Sequence, residues 1–211
     1  MERPSLPRYT QVWDVRKVLC YLEKLEDVTL FQLSGKFCML FLLLSAQRCQ
    51  TLDLIQLQDV IITDEQVVFQ TNHLLKQSKP GRHLGDIVLA AYPENRKLCI
   101  VQTTREYMRR TQGLRGAESK LLISTQEPHK GVSKATIARW VKLVMVQAGI
   151  SPTFGAHSTR AVSTSLAKLK GVPLASILKC AGWSNAKTFG RFYDKSVENS
   201  ISFQTAVLTA K

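Results

Sequence analysis

An apolar stretch at residues 37–46, FCMLFLLLSA, limits the folds open to this chain more than any other feature. Lys36 precedes it and Arg48 closely follows it. Its ten residues are too few to cross a bilayer, because a spanning helix needs about 20. The stretch therefore predicts a helix, beginning near Ser34, that is buried on every side. With 211 residues, 45% of them hydrophobic, the chain is long enough to build a core around that helix.

Apolar periodicity predicts further helices on both sides of the buried one. In the segment after Ser133, the side chains of Ile137, Val141 and Val144 fall on one stripe of a helix. Residues 27–33 are expected to form a loop. The expected helices span residues 13–25, 48–57, 95–110, 134–148, 157–170, 173–180 and 186–194.

Three β-rich runs interrupt the helical pattern, at residues 60–63, 67–72 and 86–91. Short polar turns separate them, which predicts a small antiparallel sheet. The expected fold class is thus mostly α, of the α+β type, with one three-stranded antiparallel sheet. The expected organisation is an extended arm at 1–10, a single domain at 11–195 and a tail at 196–211.

The charge balance points to a polyanionic partner. The chain has 29 Lys and Arg against 16 Asp and Glu, a net charge of +13. Folded domains this basic typically bind nucleic acid or an anionic membrane surface, and a basic scaffold for an acidic protein would carry the same charge. The five cysteines form no C-x-x-C pair, which favours a reducing compartment over a zinc site or disulfide framework.

Six residues with useful chemistry occur in order along the chain. Arg48 follows the buried stretch, and Lys76 precedes a turn at residues 79–81. His157 and Arg160 share one face of a helix in the motif HSTR, because they are three residues apart. Singly, each of the six could be a solvated charge, a helix cap or a core aromatic. The full set is Arg48, Lys76, His157, Arg160, Trp183 and Tyr193, with spacings of 28, 81, 3, 23 and 10.

This ordered set resembles the catalytic pattern R…K…H-x-x-R…H/W…Y of the tyrosine recombinase (phage integrase) superfamily, whose Lys lies on a β-hairpin. The resemblance covers residues 10–195. The segments SAQR, LLKQSKPG, AYPEN, HSTR and GWSNAKTFGRFY are most similar to recombinases of DIRS-type and Ngaro-type eukaryotic retroelements. The resemblance implies the superfamily's helical catalytic domain, double-stranded DNA as the partner, and the nucleus as the location.

The resemblance also implies that the enzyme cleaves and rejoins DNA strands. Tyr193 would attack phosphorus and form a 3′-phosphotyrosyl link with a free 5′-hydroxyl. Arg48 and Arg160 would bind the non-bridging oxygens and stabilise the added negative charge. Lys76 would protonate the leaving 5′-oxygen.

The other two positions have supporting roles in the same scheme. His157 would bond to the phosphate or assist proton transfer from Tyr193, and Trp183 would donate its indole N–H. No cofactor or metal is implied. Recombination in the family uses a tetramer on two duplexes, so a homo-tetramer is expected on DNA and a monomer without it. The residues expected to bind DNA are Lys79, Arg82, Arg105, Arg109, Arg110, Arg139 and Lys142.

Three features depart from the family pattern. Thr51 stands where an acidic residue often follows the first Arg, and the interval of ten between Trp183 and Tyr193 is one residue longer than is common. The N-terminal, helical core-binding domain has almost no counterpart. Two alternatives within the resemblance are an inactive DNA-binding module, since residues 172–193 are also compatible with a helix-turn-helix, and a type IB topoisomerase-like relaxing enzyme.

Overall fold

The computed structural model describes residues 9–71 and 85–197. Eight α-helices and five short strands lie within these residues, which confirms the predicted mostly helical fold with one small antiparallel sheet. The helices are α1 (Val15–Lys24), α2 (Leu30–Ser45), α3 (Cys49–Leu54), α4 (Ile100–Thr111), α5 (Lys134–Gln147), α6 (Ser158–Leu169), α7 (Leu174–Ala181) and α8 (Ala186–Phe192). The strands are β1 (Gln11–Val12), β2 (Val60–Ile62), β3 (Gln66–Phe69), β4 (Ile87–Ala90) and β5 (Ser196–Val197).

Helix α2 is the centre of the core, as its apolar sequence predicts. It packs against α4, α5 and α6, and its side chains from Phe37 to Leu43 are all buried. The Phe37 ring stacks on that of Tyr107 in α4, with centroids 5.4 Å apart. The ring of Phe41 meets that of Phe69 in β3 edge-on, with centroids 5.0 Å apart. One helix thus joins the helical part of the core to the sheet.

The start of α2 differs from the prediction. It begins at Leu30 rather than near Ser34, so the expected loop at 27–33 is partly helical. Thr29 and Gln32 form a capping box, in which each side chain bonds to the backbone N–H of the other residue. This pairing satisfies N–H groups that a helix end leaves free. The helix ends at Ser45, and the C-cap residue Ala46 has a left-handed φ of 52°.

Other helix ends also moved from their predicted positions. The segment predicted as helix from residue 95 becomes helical only at Ile100, because Asn95 accepts a bond from the Lys97 N–H and holds a turn. Helix α3 stops at Leu54 and is followed by a 3-10 turn at Leu57–Asp59. Helix α1, predicted from residue 13, begins at Val15, and Asp14 caps it from outside the helix.

The predicted sheet is present in the order β2–β3–β4, antiparallel throughout. Val67 pairs with Leu89 and Phe69 with Ile87, and all four side chains are buried on the face that meets the core. The predicted turn at residues 79–81 lies outside the described residues.

A parallel pair of two-residue strands was not expected from the sequence. Gln11 of β1 pairs with Ser196 of β5, and Val12 pairs with Val197. Strands this short show no alternating pattern that would predict them. The pairing joins the beginning of the described chain to the segment that follows Tyr193. None of the helices in the described ranges has the length and apolarity needed to cross a membrane.

Candidate active site

Arg48 and Arg160 approach one another where the α2–α3 corner meets the end of α7. Arg48 is the exposed N-cap residue of α3. Its neighbour Gln47 is buried and donates from Nε2 to the Cys180 carbonyl oxygen at 2.8 Å. Arg160, in α6, donates from Nη2 to the next carbonyl, that of Ala181, at 2.5 Å. Two adjacent carbonyls at one helix end therefore hold the segments that carry both arginines.

Arg160 is an unusually buried cation. Only 3% of its surface is exposed. Burial and, to a smaller extent, the positive charge of Arg48 lower the pKa of its guanidinium to about 10. At neutral pH Arg160 remains protonated. The site therefore holds two mutually repelling positive charges, which an anion bound between them would stabilise.

The rings of Trp183 and Tyr193 both lie close to the guanidinium of Arg160 and to one another. The Arg160 Cζ atom lies 4.4 Å from the Trp183 ring centroid and 5.6 Å from that of Tyr193. The two ring centroids are 4.4 Å apart. Trp183 reaches this place because Gly182 ends α7 in the left-handed conformation, with φ of 66°. Contacts of a guanidinium with aromatic faces are attractive, so the rings fix the plane of Arg160.

Two buried N–H donors in this cluster have no acceptor among the described residues. They are Arg160 Nε and Trp183 Nε1. Leaving a buried donor unpaired costs about 1–3 kcal/mol, and more for a charged group. Their position beside the two arginines indicates a place for a ligand with acceptor oxygens.

Tyr193 is the first residue after helix α8. Its φ of −125° and ψ of −17° take it out of the helix, so the extra residue after Trp183 does not turn its ring away from the cluster. Ser165 of α6 holds this segment by donating to the Tyr193 carbonyl and accepting from the Lys195 N–H. Lys168, one turn further along α6, pairs with Asp194.

Thr51, which stands where the family often has an acidic residue, does not bond to the Arg48 side chain. Its hydroxyl donates to Gln47 Oε1 at 3.4 Å rather than accepting a bond from Arg48. The described residues provide no carboxylate bonded to the Arg48 side chain. In this chain the corner is held through Gln47, which bonds on one side to Thr51 and on the other to Cys180.

His157 immediately precedes α6 and is exposed at the surface. Its ring stacks on that of Tyr9, with centroids 5.4 Å apart and an angle of 21° between the planes. The next residue, Ser158, is buried and accepts a bond from the Trp13 indole at 2.8 Å. The motif predicts that His157 and Arg160 share one helix face, but His157 precedes the helix and is exposed, whereas Arg160 lies in its first turn and is buried.

The predicted DNA-binding cations divide into separate groups. Lys79 and Arg82 lie outside the described residues, as does Lys76, which was predicted to be catalytic. Arg139 is exposed and donates to the hydroxyl of Thr136, while Lys142 donates to the carbonyls of Pro152 and Phe154.

The three arginines of α4 lie away from the cluster. Arg105 pairs with Asp64, and both Arg109 and Arg110 pair with Glu106. The bonds from Arg109 and Arg110 lower the pKa of Glu106 to about 2. Arg110 also donates to the Val28 carbonyl, just before α2 begins. Arg48 follows the other end of that 16-residue helix, which is roughly 24 Å long.

Three contributors to the site were not predicted. Gln47 and Ser165 act through hydrogen bonds to distant backbone, for which a single sequence has no signal. Tyr9 fell within the expected arm. The described residues contain no group of three or more His, Cys, Asp or Glu side chains that could hold a metal ion.

Comparison with known proteins gives one family match and several structural matches. The sequence model of the phage integrase family matches residues 21–199. The structure of XerA recombinase superposes with a TM-score of 0.66 at 14% identity, covering 99% of this chain and 64% of that one. A lambda integrase dimer bound to a COC′ core site gives 0.56 at 17% identity, covering 96% of this chain and 64% of that one. The Tn1549 transposon integrase in complex with transposon right end DNA gives 0.64 at 11% identity, covering 99% and 67%.

These structural likenesses establish the fold. The chain spans less than two thirds of the length of the XerA recombinase and lambda integrase chains that it matches. Comparison with curated protein sequences returns no match.

Proposed function

This chain belongs to the phage integrase family, and on that premise we propose that it is the catalytic domain of a DNA strand transferase that acts through a phosphotyrosyl intermediate. The observation that carries the proposal is a pair of buried donors, Arg160 Nε and Trp183 Nε1, for which residues 9–71 and 85–197 provide no acceptor. Both lie beside the ring of Tyr193. A phosphodiester would supply acceptor oxygens for these two donors and a negative charge opposite the arginines.

The proposed chemistry needs only groups of the chain. A scissile phosphate takes hydrogen bonds from Arg160 and Trp183, and Arg48 supplies the second positive charge. The Tyr193 oxygen attacks phosphorus and loses its proton, and the bond from phosphorus to the 5′-oxygen breaks. That oxygen takes a proton from a general acid, for which Lys76 is the candidate. The bond energy is kept in the phosphotyrosyl ester, so the reverse attack by a 5′-hydroxyl reseals the strand.

His157 completes the proposed set. Its place at the start of α6, three residues before Arg160, suits an imidazole that bonds to the phosphate or helps to remove the Tyr193 proton.

Incubation with a nicked suicide duplex tests this function. Cleavage beside the nick releases a short fragment that diffuses away, so the covalent protein–DNA complex accumulates and is counted on a denaturing gel. We expect a covalent band that grows with time. DNA binding without that band would favour the inactive module, whereas relaxation of supercoiled plasmid by the monomer would favour the topoisomerase-like alternative.

The finer assignment is to a recombinase of a mobile element. The segments similar to DIRS-type and Ngaro-type retroelements support it, and so does the likeness to a transposon integrase. On this assignment the protein acts on double-stranded DNA in the nucleus. It would form a tetramer on two duplexes and remain a monomer without DNA.

The net charge of +13 predicts duplex binding that weakens steeply with salt, because bound phosphates release counterions. Fluorescence anisotropy with a labelled duplex from low to physiological salt measures the slope. Arg139→Ala is expected to reduce the slope by about one phosphate contact. Arg109→Ala is the matched control and should change it less, because Arg109 is ion-paired. A flat salt dependence would remove DNA as the main partner.

A second prediction concerns the leaving group. Lys76→Ala should cleave an ordinary duplex poorly, because the departing 5′-oxygen then lacks its proton donor. A duplex with sulfur at the 5′-bridging position should restore cleavage, since a thiolate leaves without protonation. Lys79→Ala is the comparison; it keeps the proposed acid, so the sulfur substitution should give its cleavage no added benefit. If sulfur rescues Lys79→Ala instead, the role belongs to Lys79, and if it rescues neither, no hairpin lysine is the acid.

A further inference from the structure

Residues 9–13, which we call the N-terminal brace, contact the beginning of α6 and pair with the strand that follows Tyr193. Tyr9 and Trp13 touch the beginning of α6, where His157 lies. Between them, β1 pairs with β5, two residues after Asp194. A five-residue segment far away in sequence therefore supports both the His157 side and the Tyr193 side of the site.

Tyr9 makes a dense set of contacts around His157. Its ring stacks on the imidazole at 5.4 Å and also packs against Phe154 at 5.0 Å, measured between centroids. Its hydroxyl accepts a bond from the Gly155 N–H at 3.1 Å and donates to the Thr153 carbonyl at 3.5 Å. These bonds fix the loop that leads into α6.

Gly155 makes room for this arrangement. A Cβ atom at that position would lie 3.1 Å from two atoms of the His157 ring and 3.8 Å from the Tyr9 hydroxyl. The imidazole is therefore confined on one side by the Gly155 backbone and on another by the Tyr9 ring.

The rest of the brace holds Tyr9 in place. Trp13 is fully buried, and its indole N–H donates to Ser158, the first residue of α6. The parallel pairing of Val12 with Val197 fixes the direction of the backbone between Tyr9 and Trp13. The stacking of Tyr9 on His157 thus rests on an anchored backbone rather than on a free end.

We propose that Tyr9 is a positioning residue for His157, which holds the imidazole in the orientation that meets the scissile phosphate. This inference rests on the proposed function. A side chain that must bond to a phosphate oxygen or a tyrosine proton loses rate when its orientation is not fixed, and a 1 Å misplacement can cost on the order of a hundredfold. The stacked ring limits the rotamers that the imidazole can adopt.

A double-mutant cycle on suicide-substrate cleavage tests the proposal. Tyr9→Leu should slow formation of the covalent complex by about tenfold or more, because His157 is no longer confined. Tyr9→Phe keeps the stacked ring and should restore most of the rate. Tyr9→Leu combined with His157→Ala should be no slower than His157→Ala alone, since Tyr9 acts only through His157. Tyr92→Leu, at an exposed tyrosine beyond β4, is the matched control and should cleave normally.

Two results would overturn the positioning role while leaving the proposed function intact. One is Tyr9→Leu cleaving as fast as, or faster than, the wild-type protein. The other is a Tyr9→Leu defect of equal size with and without His157, which would show a general structural role.

A measurement on the free protein separates this inference from the proposed function. NMR relaxation of the His157 ring should show increased motion in Tyr9→Leu but not in Tyr9→Phe. If the wild-type protein forms no covalent complex, the proposed function fails, and the ring motion still decides the role of Tyr9. Unchanged ring motion in Tyr9→Leu would overturn it.

Discussion

Tyr193→Phe is expected to form no covalent complex with a suicide duplex while still folding and binding DNA. The substitution removes only the hydroxyl oxygen that would attack phosphorus. The ring contacts with Trp183 and Arg160 remain, as do the backbone bonds from Ser165. Denaturing gels measure the covalent band, and anisotropy with the same duplex measures binding. The expected loss of cleavage is complete, because no other described tyrosine ring lies against both Arg160 and Trp183.

Tyr92→Phe is the matched control for this experiment. Tyr92 is 47% exposed and lies beyond the end of β4, so the variant should cleave at the wild-type rate. A covalent complex in Tyr193→Phe would show that the nucleophile is another residue, and the remaining tyrosines would then be replaced one at a time. A loss of both DNA binding and cleavage would show that the Tyr193 hydroxyl has a structural role.

The second large effect is expected for Arg160→Lys. Lysine keeps a positive charge but lacks the planar set of donors. Its single ammonium nitrogen cannot occupy both the position of Nη2, which donates to the Ala181 carbonyl, and that of Nε, which is placed to meet a phosphate. Loss of such a transition-state contact typically lowers the rate by about a hundredfold or more. Single-turnover cleavage of the suicide duplex measures it.

Arg115→Lys provides a control for the effect of changing a buried arginine. Arg115 is 8% exposed and donates to the Thr111 hydroxyl and to the Lys120 carbonyl, contacts that belong to the fold. We expect a lower melting temperature and an unchanged cleavage rate for this variant. Equal losses of rate in Arg115→Lys and Arg160→Lys would assign the effect to stability. A wild-type rate in Arg160→Lys would remove Arg160 from the phosphate site.

The sequence predicted the main elements wherever a local pattern was strong. The apolar stretch at 37–46 forms the buried helix α2, and the stripe with Ile137, Val141 and Val144 is the buried face of α5. It misplaced the boundaries where a short-range hydrogen bond outweighs periodicity. The capping box of Thr29 starts α2 early, and the Asn95 turn delays α4.

The candidate site was only partly predictable. Residue type and order along the chain singled out Arg48, Arg160, Trp183 and Tyr193, and the structure brings these four together. Their roles, and those of His157 and Lys76, stay predictions. The positive charge also led to the selection of Arg109, which is neutralised by its partner Glu106 one turn earlier. The number of cations in a sequence does not show which of them are ion-paired.

By itself the sequence determined the buried helix, the small sheet, the basic charge and the order of the candidate residues, because each of these depends on neighbours within a few turns or on a simple sum. Only the tertiary structure decided which groups meet. Gln47 reaches Cys180 and Tyr9 reaches His157 across more than 100 residues of chain, and such contacts depend on how whole helices pack around α2. Packing also left Arg160 Nε and Trp183 Nε1 buried with no acceptor in the described part of the chain, a property that no residue pattern contains.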